Sequence, residues 1–326
     1  MAIYLTYREA GSARLMHYAV AFDELDGHPI VVKESLDLDD ADPELPGSNV
    51  LVLDRTGNKV TAWKDPKAGI AQDFEMADSG TLAAPLIGQL NTFPLIQGLR
   101  TFVLNWHVSH VSVQAARVDS ALTVDNRLSP TGNNIASVLS WLQKQAPDRL
   151  AAILAQLRRD VPNLATVAAE VTDAQRLRLA FQDAPFEQPF QARQASDGTL
   201  TLLAHLLLLQ GGEPYSLLCL DEPENNLHPR LMPDLAESCR AAAERSQVIV
   251  ATHSPEFLWG VRAEELRGLY RDADGFTQAV RAADIRGVPE FLEAGASLGQ
   301  LWLEGHFGVG DPLVNHGWPQ DSRGHR

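Results

Sequence analysis

The 326 residues, 45% hydrophobic and 21% charged, supply enough apolar material for one large domain or two modest ones. A formal net charge of -15 sets the averaged surface against a phosphate backbone and disfavours autonomous, non-specific nucleic-acid binding. The two cysteines, Cys219 and Cys239, are too few for a disulfide framework or a cysteine-rich zinc site. No apolar run reaches the roughly 18 residues of a membrane span and no basic-then-apolar leader opens the chain, so the expectation is a cytoplasmic protein with no membrane partner.

The first sixty-odd residues alternate in period two, at Ile3-Leu5-Tyr7, Leu15 to Phe22, Ile30 to Val32, Val50 to Leu53 and Val60 to Trp63, which predicts antiparallel strands. Thr56-Gly57-Asn58 joins the last two as a hairpin, because glycine and asparagine tolerate positive φ. The acidic stretch over residues 34–44, with prolines on either side of Glu44-Leu45, reads as a solvated loop. Between Leu82 and Trp106 the spacing turns helical. Asn134 opens a helix through Ile135, Val138, Leu139 and Leu142, and Pro147 opens another that sets Leu150, Ile153, Leu154 and Leu157 on one face before Pro162. This pair reads as a helical insertion. From Arg176 the period returns to two, and a leucine-rich helix follows over residues 200–210.

The chemistry concentrates after residue 195. Tyr215-Ser216-Leu217-Leu218-Cys219-Leu220-Asp221-Glu222-Pro223 is a short apolar strand ending in two carboxylates and a proline. In an open α/β sheet ligands bind beyond the carboxyl ends of strands, which suits Asp221 to a Mg²⁺ ion and Glu222 to a water that it orients and polarises. A second buried-type strand, Val248-Ile249-Val250-Ala251, leads into Thr252-His253-Ser254-Pro255 and is reached from the first by an amphipathic helix over about residues 231–244. That is a βαβ unit with parallel pairing, and it brings His253 to the same sheet end, where it can sense a γ-phosphate by hydrogen bonding. Ala195-Ser196-Asp197-Gly198-Thr199 precedes the leucine-rich helix. Ser196 is an N-cap, and the free N–H groups of the first turn, aided by the helix dipole, form an anion site.

In this order and spacing the three elements resemble the ABC-type ATPase heads, in the AAA-like branch of chromosome-maintenance and DNA-repair ATPases and their relatives in bacterial defence. Ser196-Asp197-Gly198-Thr199 looks like the signature motif, and Leu220-Asp221-Glu222-Pro223-Glu224 like Walker B. Asn225-Asn226-Leu227-His228-Pro229 is similar to the D-loop region, and Ala251-Thr252-His253-Ser254-Pro255 to the switch histidine. The likeness covers residues 176–258 firmly. Thr131-Gly132-Asn133-Asn134-Ile135 and Leu298-Gly299-Gln300-Leu301-Trp302 share it more loosely. The resemblance implies an α/β fold, a P-loop NTPase-like head with an antiparallel N-terminal β lobe and a helical insertion. It also implies ATP and Mg²⁺ as cofactors, with Asp221 on the metal, Glu222 and His253 catalytic, and Ser196, Asp197, Gly198, Thr199, Asn225 and Asn226 on nucleotide. Its partner is a second head, in a homodimer or supplied by another ATPase, with an effector protein possible; nucleic acid is a family partner that the net charge does not support.

One family element is missing: no G-x-x-x-x-G-K-[ST] loop occurs, and neither Arg55-Thr56-Gly57-Asn58-Lys59 nor Ser129-Pro130-Thr131-Gly132-Asn133 supplies its second glycine and Lys-Ser/Thr pair. A truncated or mis-started copy is the leading expectation, ahead of a P-loop from another polypeptide or a degenerate subunit that supplies only the signature face. Three segments are expected: a β-rich lobe with the helical insertion over 1–165, the ATPase lobe over 166–305 and a flexible tail over 306–326. A metal-dependent nuclease on Asp221, Glu222 and Glu224 is the outlying alternative.

Overall fold

The structure, a computed structural model, describes residues 1–8, 14–39, 49–272 and 274–308. Contacts gather the chain into two compact units, Met1–Trp106 and His107–Arg326.

The first unit is an antiparallel meander: β1 (Ala2–Arg8), β2 (Leu15–Leu25), β3 (His28–Asp39), β4 (Asn49–Thr56), β5 (Lys59–Asp65) and β6 (Ile70–Glu75), paired in sequence order. Two-residue turns close its tightest hairpins. Asp26 and Gly27, at φ 52° and 79°, join β2 to β3, and Gly57, at φ 60°, begins the turn between Thr56 and Lys59. These left-handed conformations match the twist of the flanking strands. The face carrying Tyr7, Leu36, Leu38, Leu53 and Val60 is buried with α1 (Ala83–Ile87) and α2 (Pro94–Leu104).

The acidic stretch departs from the loop expected of it: residues 34–39 belong to β3, and Glu34 is completely buried. Strand alternation explains this, since Glu34 points the same way as Leu36 and Leu38. Its carboxylate accepts the backbone N–H of Ala83 at 2.7 Å and of Ala84 at 2.9 Å, capping α1, together with the Tyr18 hydroxyl at 2.9 Å. Burial first, then the charge of Glu34, pushes the Tyr18 hydroxyl far above its usual range, so it stays a donor. The fully buried Arg55 lies 3.7 Å from Glu34 and donates to the carbonyls of Gly57, Ser79 and Thr81. Residues 40–48 of the acidic stretch and its flank lie outside the described residues.

The second unit is built on a three-stranded sheet ordered β13–β12–β7. Its chain order is β7 (Trp106–Ser109), α3 (Val113–Ala116), β8 (Ser120–Ala121), α4 (Ile135–Gln145), α5 (Pro147–Asp160), β9 (Leu164–Val171), β10 (Arg176–Asp183), β11 (Phe190–Gln191), α6 (Asp197–Leu206), β12 (Leu217–Asp221), α7 (Met232–Ala242) and β13 (Gln247–Ala251). β12 and β13 run parallel with α7 as their crossover, as the βαβ spacing predicts. The principal core packs Leu200, Leu203 and Leu206 of α6 with Leu139 and Leu142 of α4, Ile153 and Leu157 of α5, and Leu218 and Leu220 of β12, so the helical insertion is part of this core. Burial pushes the Cys239 thiol up to about 12 and raises that of the less buried Cys219.

A satellite core follows the last strand of the sheet. It comprises α8 (Pro255–Leu258), the hairpin β14 (Arg267–Arg271) and β15 (Thr277–Arg281), α9 (Val288–Glu293) and α10 (Leu298–Leu303), centred on Leu258, Ala282, Val288 and Leu301. Of the tail expected over 306–326, residues 309–326 lie outside the described part. No helix among the described residues is long and apolar enough to cross a membrane.

Candidate functional site

The parallel register places Leu217 opposite Gln247 and carries the pairing to Asp221 opposite Ala251, so both strands end level. The ladder continues one residue further, with the Glu222 N–H donating to the Ala251 carbonyl at 2.8 Å. There the chain turns sharply: Glu222 sits at φ 45° and Asn226 at φ 66°. Asparagine takes this conformation readily, but glutamate seldom does, so Glu222 is the constrained position of the turn. Asn225 donates its side-chain amide to Glu222 Oε2 at 3.0 Å and its backbone N–H to the Glu222 carbonyl at 3.1 Å. The turn therefore holds the carboxylate it contains.

Glu224 ties this turn to the neighbouring strand, its Oε1 accepting the His253 N–H at 3.0 Å. Ser254 then caps α8, accepting the Phe257 N–H at 3.1 Å. Glu222, Asn225 and His253 thus share one cleft of about 410 Å³, with Glu224, Leu227 and Pro255 among its walls. Asp221 lies at the adjoining strand end, its side chain 56% exposed, and the imidazole Nδ1 of His110 is 3.6 Å from its Oδ2. The exposed carboxylate is a hard oxygen donor of the kind Mg²⁺ takes, which fits Asp221 to the cation implied for it.

The signature-like segment caps the leucine-rich helix as its sequence predicts. Ser196 Oγ accepts the Thr199 N–H at 3.1 Å and lies 2.8 Å from the Thr199 hydroxyl. Gly198 approaches the turn that follows Asp221 and Glu222 so closely that a Cβ on it would stand 2.9 Å from the Asn226 carbonyl oxygen. Two sequence-distant motifs are therefore in contact, and only glycine fits between them.

Asp197 puts a negative charge in the helix's first turn, where a bound anion would be repelled. Arg117, at the C-terminal end of α3, cancels it with an ion pair to Asp197 and also donates to the carbonyls of Ala192, Arg193 and Ala195 at 2.8, 2.9 and 3.0 Å. Arg117 and His110 are the site residues that sequence reasoning missed. We expect Arg117→Ala to speed amide exchange of residues 196–199 and to destabilise the fold by about 1–3 kcal/mol, the penalty for abandoning partly buried acceptors. Lysine, lacking the planar fork, should restore only part of this. Hydrogen–deuterium exchange with mass spectrometry reads both effects, and unchanged protection of residues 196–199 would remove Arg117 from this role.

These features are consistent with an α/β head of the AAA-like, ABC type. Residues 101–258 match the family model described as "AAA domain, putative AbiEii toxin, Type IV TA system". No curated protein matches the chain. Among solved structures, similarity extends to the SMC head bound to the C-winged helix domain of ScpA, at 12% identity and TM-score 0.39 over 77% of this chain and 75% of that one. The SMC head domain from Thermotoga maritima is 11% identical, with TM-score 0.34 over 83% and 74%. A chain from a study of ATP-driven dimerization and DNA-stimulated activation of SMC ATPases is 16% identical, with TM-score 0.34 over 45% of this chain and 92% of that one. Overlaps this loose add nothing to the contacts described above. ATPases of this class use a nucleotide and Mg²⁺.

Proposed function

We propose that this chain is an ATP-hydrolysing head working as a nucleotide-dependent dimerisation switch, in DNA repair, chromosome maintenance or bacterial defence. One observation carries the reading: Asp221, Glu222 and His253 come together at the carboxyl ends of two adjacent parallel strands, the place where such sheets bind ligands. The description of the matching family, which names a toxin of a type IV toxin–antitoxin system, favours defence among the three settings.

In this reading Asp221 holds Mg²⁺, which supplies charge neutralisation on the phosphate oxygens. Glu222 orients the attacking water with the carboxylate oxygen that Asn225 does not engage. His253, its backbone fixed by Glu224, hydrogen-bonds the γ-phosphate. Ser196 and the α6 N-terminus meet the nucleotide of an opposing head, so ATP occupancy and head pairing are linked by mass action. A phosphate-cradling loop must join these groups. The edge strand β13 offers it a place, since Ile249 is 49% exposed in a strand of a parallel sheet whose members are ordinarily covered on both faces.

Mg-ATP binding to this chain, beside a form extended through any in-frame upstream coding segment, tests the proposal. The extended form should bind and hydrolyse ATP. Glu222→Gln should lower kcat by at least about a hundredfold, the scale of losing a positioned catalytic group. The same variant should accumulate an ATP-bound dimer in light scattering that Ser196→Arg abolishes. Hydrolysis indifferent to Glu222 would overturn the assignment. If the chain instead restores activity to a P-loop-bearing partner at 1:1 stoichiometry, the reading shifts to a non-catalytic subunit supplying the signature face.

A further inference from the structure

We propose that His110 and Asp221 together hold the divalent cation of this site, and that the imidazole gives the site a preference for Mn²⁺ over Mg²⁺. The cation's role in hydrolysis rests on the function proposed above; the binding pair itself does not.

The geometry comes from two neighbouring strands. β7 and β12 are adjacent in the sheet, and His110 follows β7 directly as Asp221 ends β12. The backbone of His110 is fixed, since its N–H donates to the Pro130 carbonyl at 2.9 Å, and two residues on the Ser112 N–H donates to the Thr131 carbonyl at 3.0 Å. The two side chains meet at 3.6 Å between Nδ1 and Oδ2, too far for a hydrogen bond. Both are well exposed, at 70% and 56%, so as an ion pair they would contribute little.

Two ligands on adjacent corners of an octahedral cation, each about 2.1 Å from the metal, stand about 3 Å apart. Closing the pair from 3.6 Å therefore takes about half an ångström of side-chain rotation, within reach of two exposed groups. Among the described residues no three His, Cys, Asp or Glu side chains gather into a preformed site, so the ion keeps waters or phosphate oxygens in its remaining positions. A carboxylate alone does not distinguish Mg²⁺ from Mn²⁺, whereas imidazole nitrogen favours the later, softer ion. His110 is the imidazole that the structure sets beside Asp221, at 3.6 Å.

The probe is Mn²⁺ itself, titrated into the untagged full chain without nucleotide and followed by electron paramagnetic resonance. Bound Mn²⁺ should show ¹⁴N coupling in pulsed spectra. His110→Ala should erase that coupling, weaken Mn²⁺ by at least about tenfold and make Mg²⁺ a better competitor, with circular dichroism unchanged. Asp221→Asn should weaken both ions, and His110→Gln should keep Mg²⁺ binding without the imidazole nitrogen signal. Absence of Mn²⁺ binding, or nitrogen coupling that persists in His110→Ala, overturns the proposal. Nitrogen coupling with no ATP-driven dimer in Glu222→Gln would leave the cation pair standing and remove the switch; the reverse result would do the opposite.

Discussion

Glu34→Ala is expected to unfold the first unit or destabilise it by about 3–5 kcal/mol, the range for stripping the partner from a buried charge. The substitution leaves Arg55, fully buried, without its counter-charge, and three donors without an acceptor: the N–H groups of Ala83 and Ala84 and the Tyr18 hydroxyl. The arginine cannot escape by deprotonating, because guanidinium stays charged at any accessible pH. Its three carbonyl partners at Gly57, Ser79 and Thr81 hold it in place while the charge stays uncompensated. Glu34→Gln separates the two effects. The amide oxygen still accepts some of the donors, so it should fall between wild type and alanine, the remainder being the cost of the lone arginine. A paired Glu34→Met, Arg55→Met variant removes both charges and should be less destabilised than Glu34→Ala, despite changing more atoms. Urea unfolding read by hydrogen exchange of the β2–β5 amides, which belong to this unit, gives all three numbers. If the double variant is the worst of the series, the pair is worth more than its desolvation, and the argument from uncompensated charge fails.

The same residue shows where sequence reading runs out. An acidic stretch is ordinarily solvated, and counting charge over residues 34–44 leads to a loop. Period-two alternation over Glu34, Leu36 and Leu38 was already present, but nothing local to Glu34 announces Arg55 or the α1 N-terminus 49 residues on. The hairpin signals were of mixed legibility. Gly57 was read as a turn, whereas Asp26-Gly27, an equally good type of turn pair, went unused. β6 and the β14–β15 hairpin escaped because their exposed, polar-rich strands carry little alternation to detect.

At the candidate site the legible part is the local part. A buried strand followed by two acids, a crossover helix and a second buried strand followed by histidine determine by topology alone that Asp221, Glu222 and His253 share a sheet end, and the structure joins Glu222 and His253 in one cleft. Ser196 as a cap was equally readable. Arg117 was not, because its bond to Asp197 spans 80 residues, and an arginine on a short helix is unremarkable in sequence. His110 needed the strand order before it could be placed beside Asp221. The fit of Gly198 against Asn226 likewise required two loops to be seen together.

Gly299 carries a second large expected effect, and it acts on His253 through α8. The Leu298-Gly299-Gln300-Leu301-Trp302 segment had been singled out only by resemblance; the structure gives its glycine a physical reason. A Cβ at Gly299 would stand 2.1 Å from the Pro255 carbonyl oxygen and 2.7 Å from two atoms of the Trp259 ring. The carbonyl is backbone and cannot rotate away, so α10 or the start of α8 must retreat by more than an ångström to reach ordinary contact. Pro255 follows His253 by two residues, and Ser254 between them caps α8. A retreat of α8 therefore pulls on the His253 backbone and its bond to Glu224. Gly299→Ala should destabilise the satellite core by about 1–3 kcal/mol or more, as overpacking does. It should also shift the imidazole resonances of His253 in nuclear magnetic resonance spectra. Leu301→Ala, a buried residue of the same core, is the control, since it creates a cavity without pressing on Pro255. It should lower stability by a comparable amount while leaving the His253 resonances in place. If both variants move His253 equally, the histidine responds to general loosening of this core; if only Gly299→Ala moves it, the contact of α10 with α8 sets the position of His253.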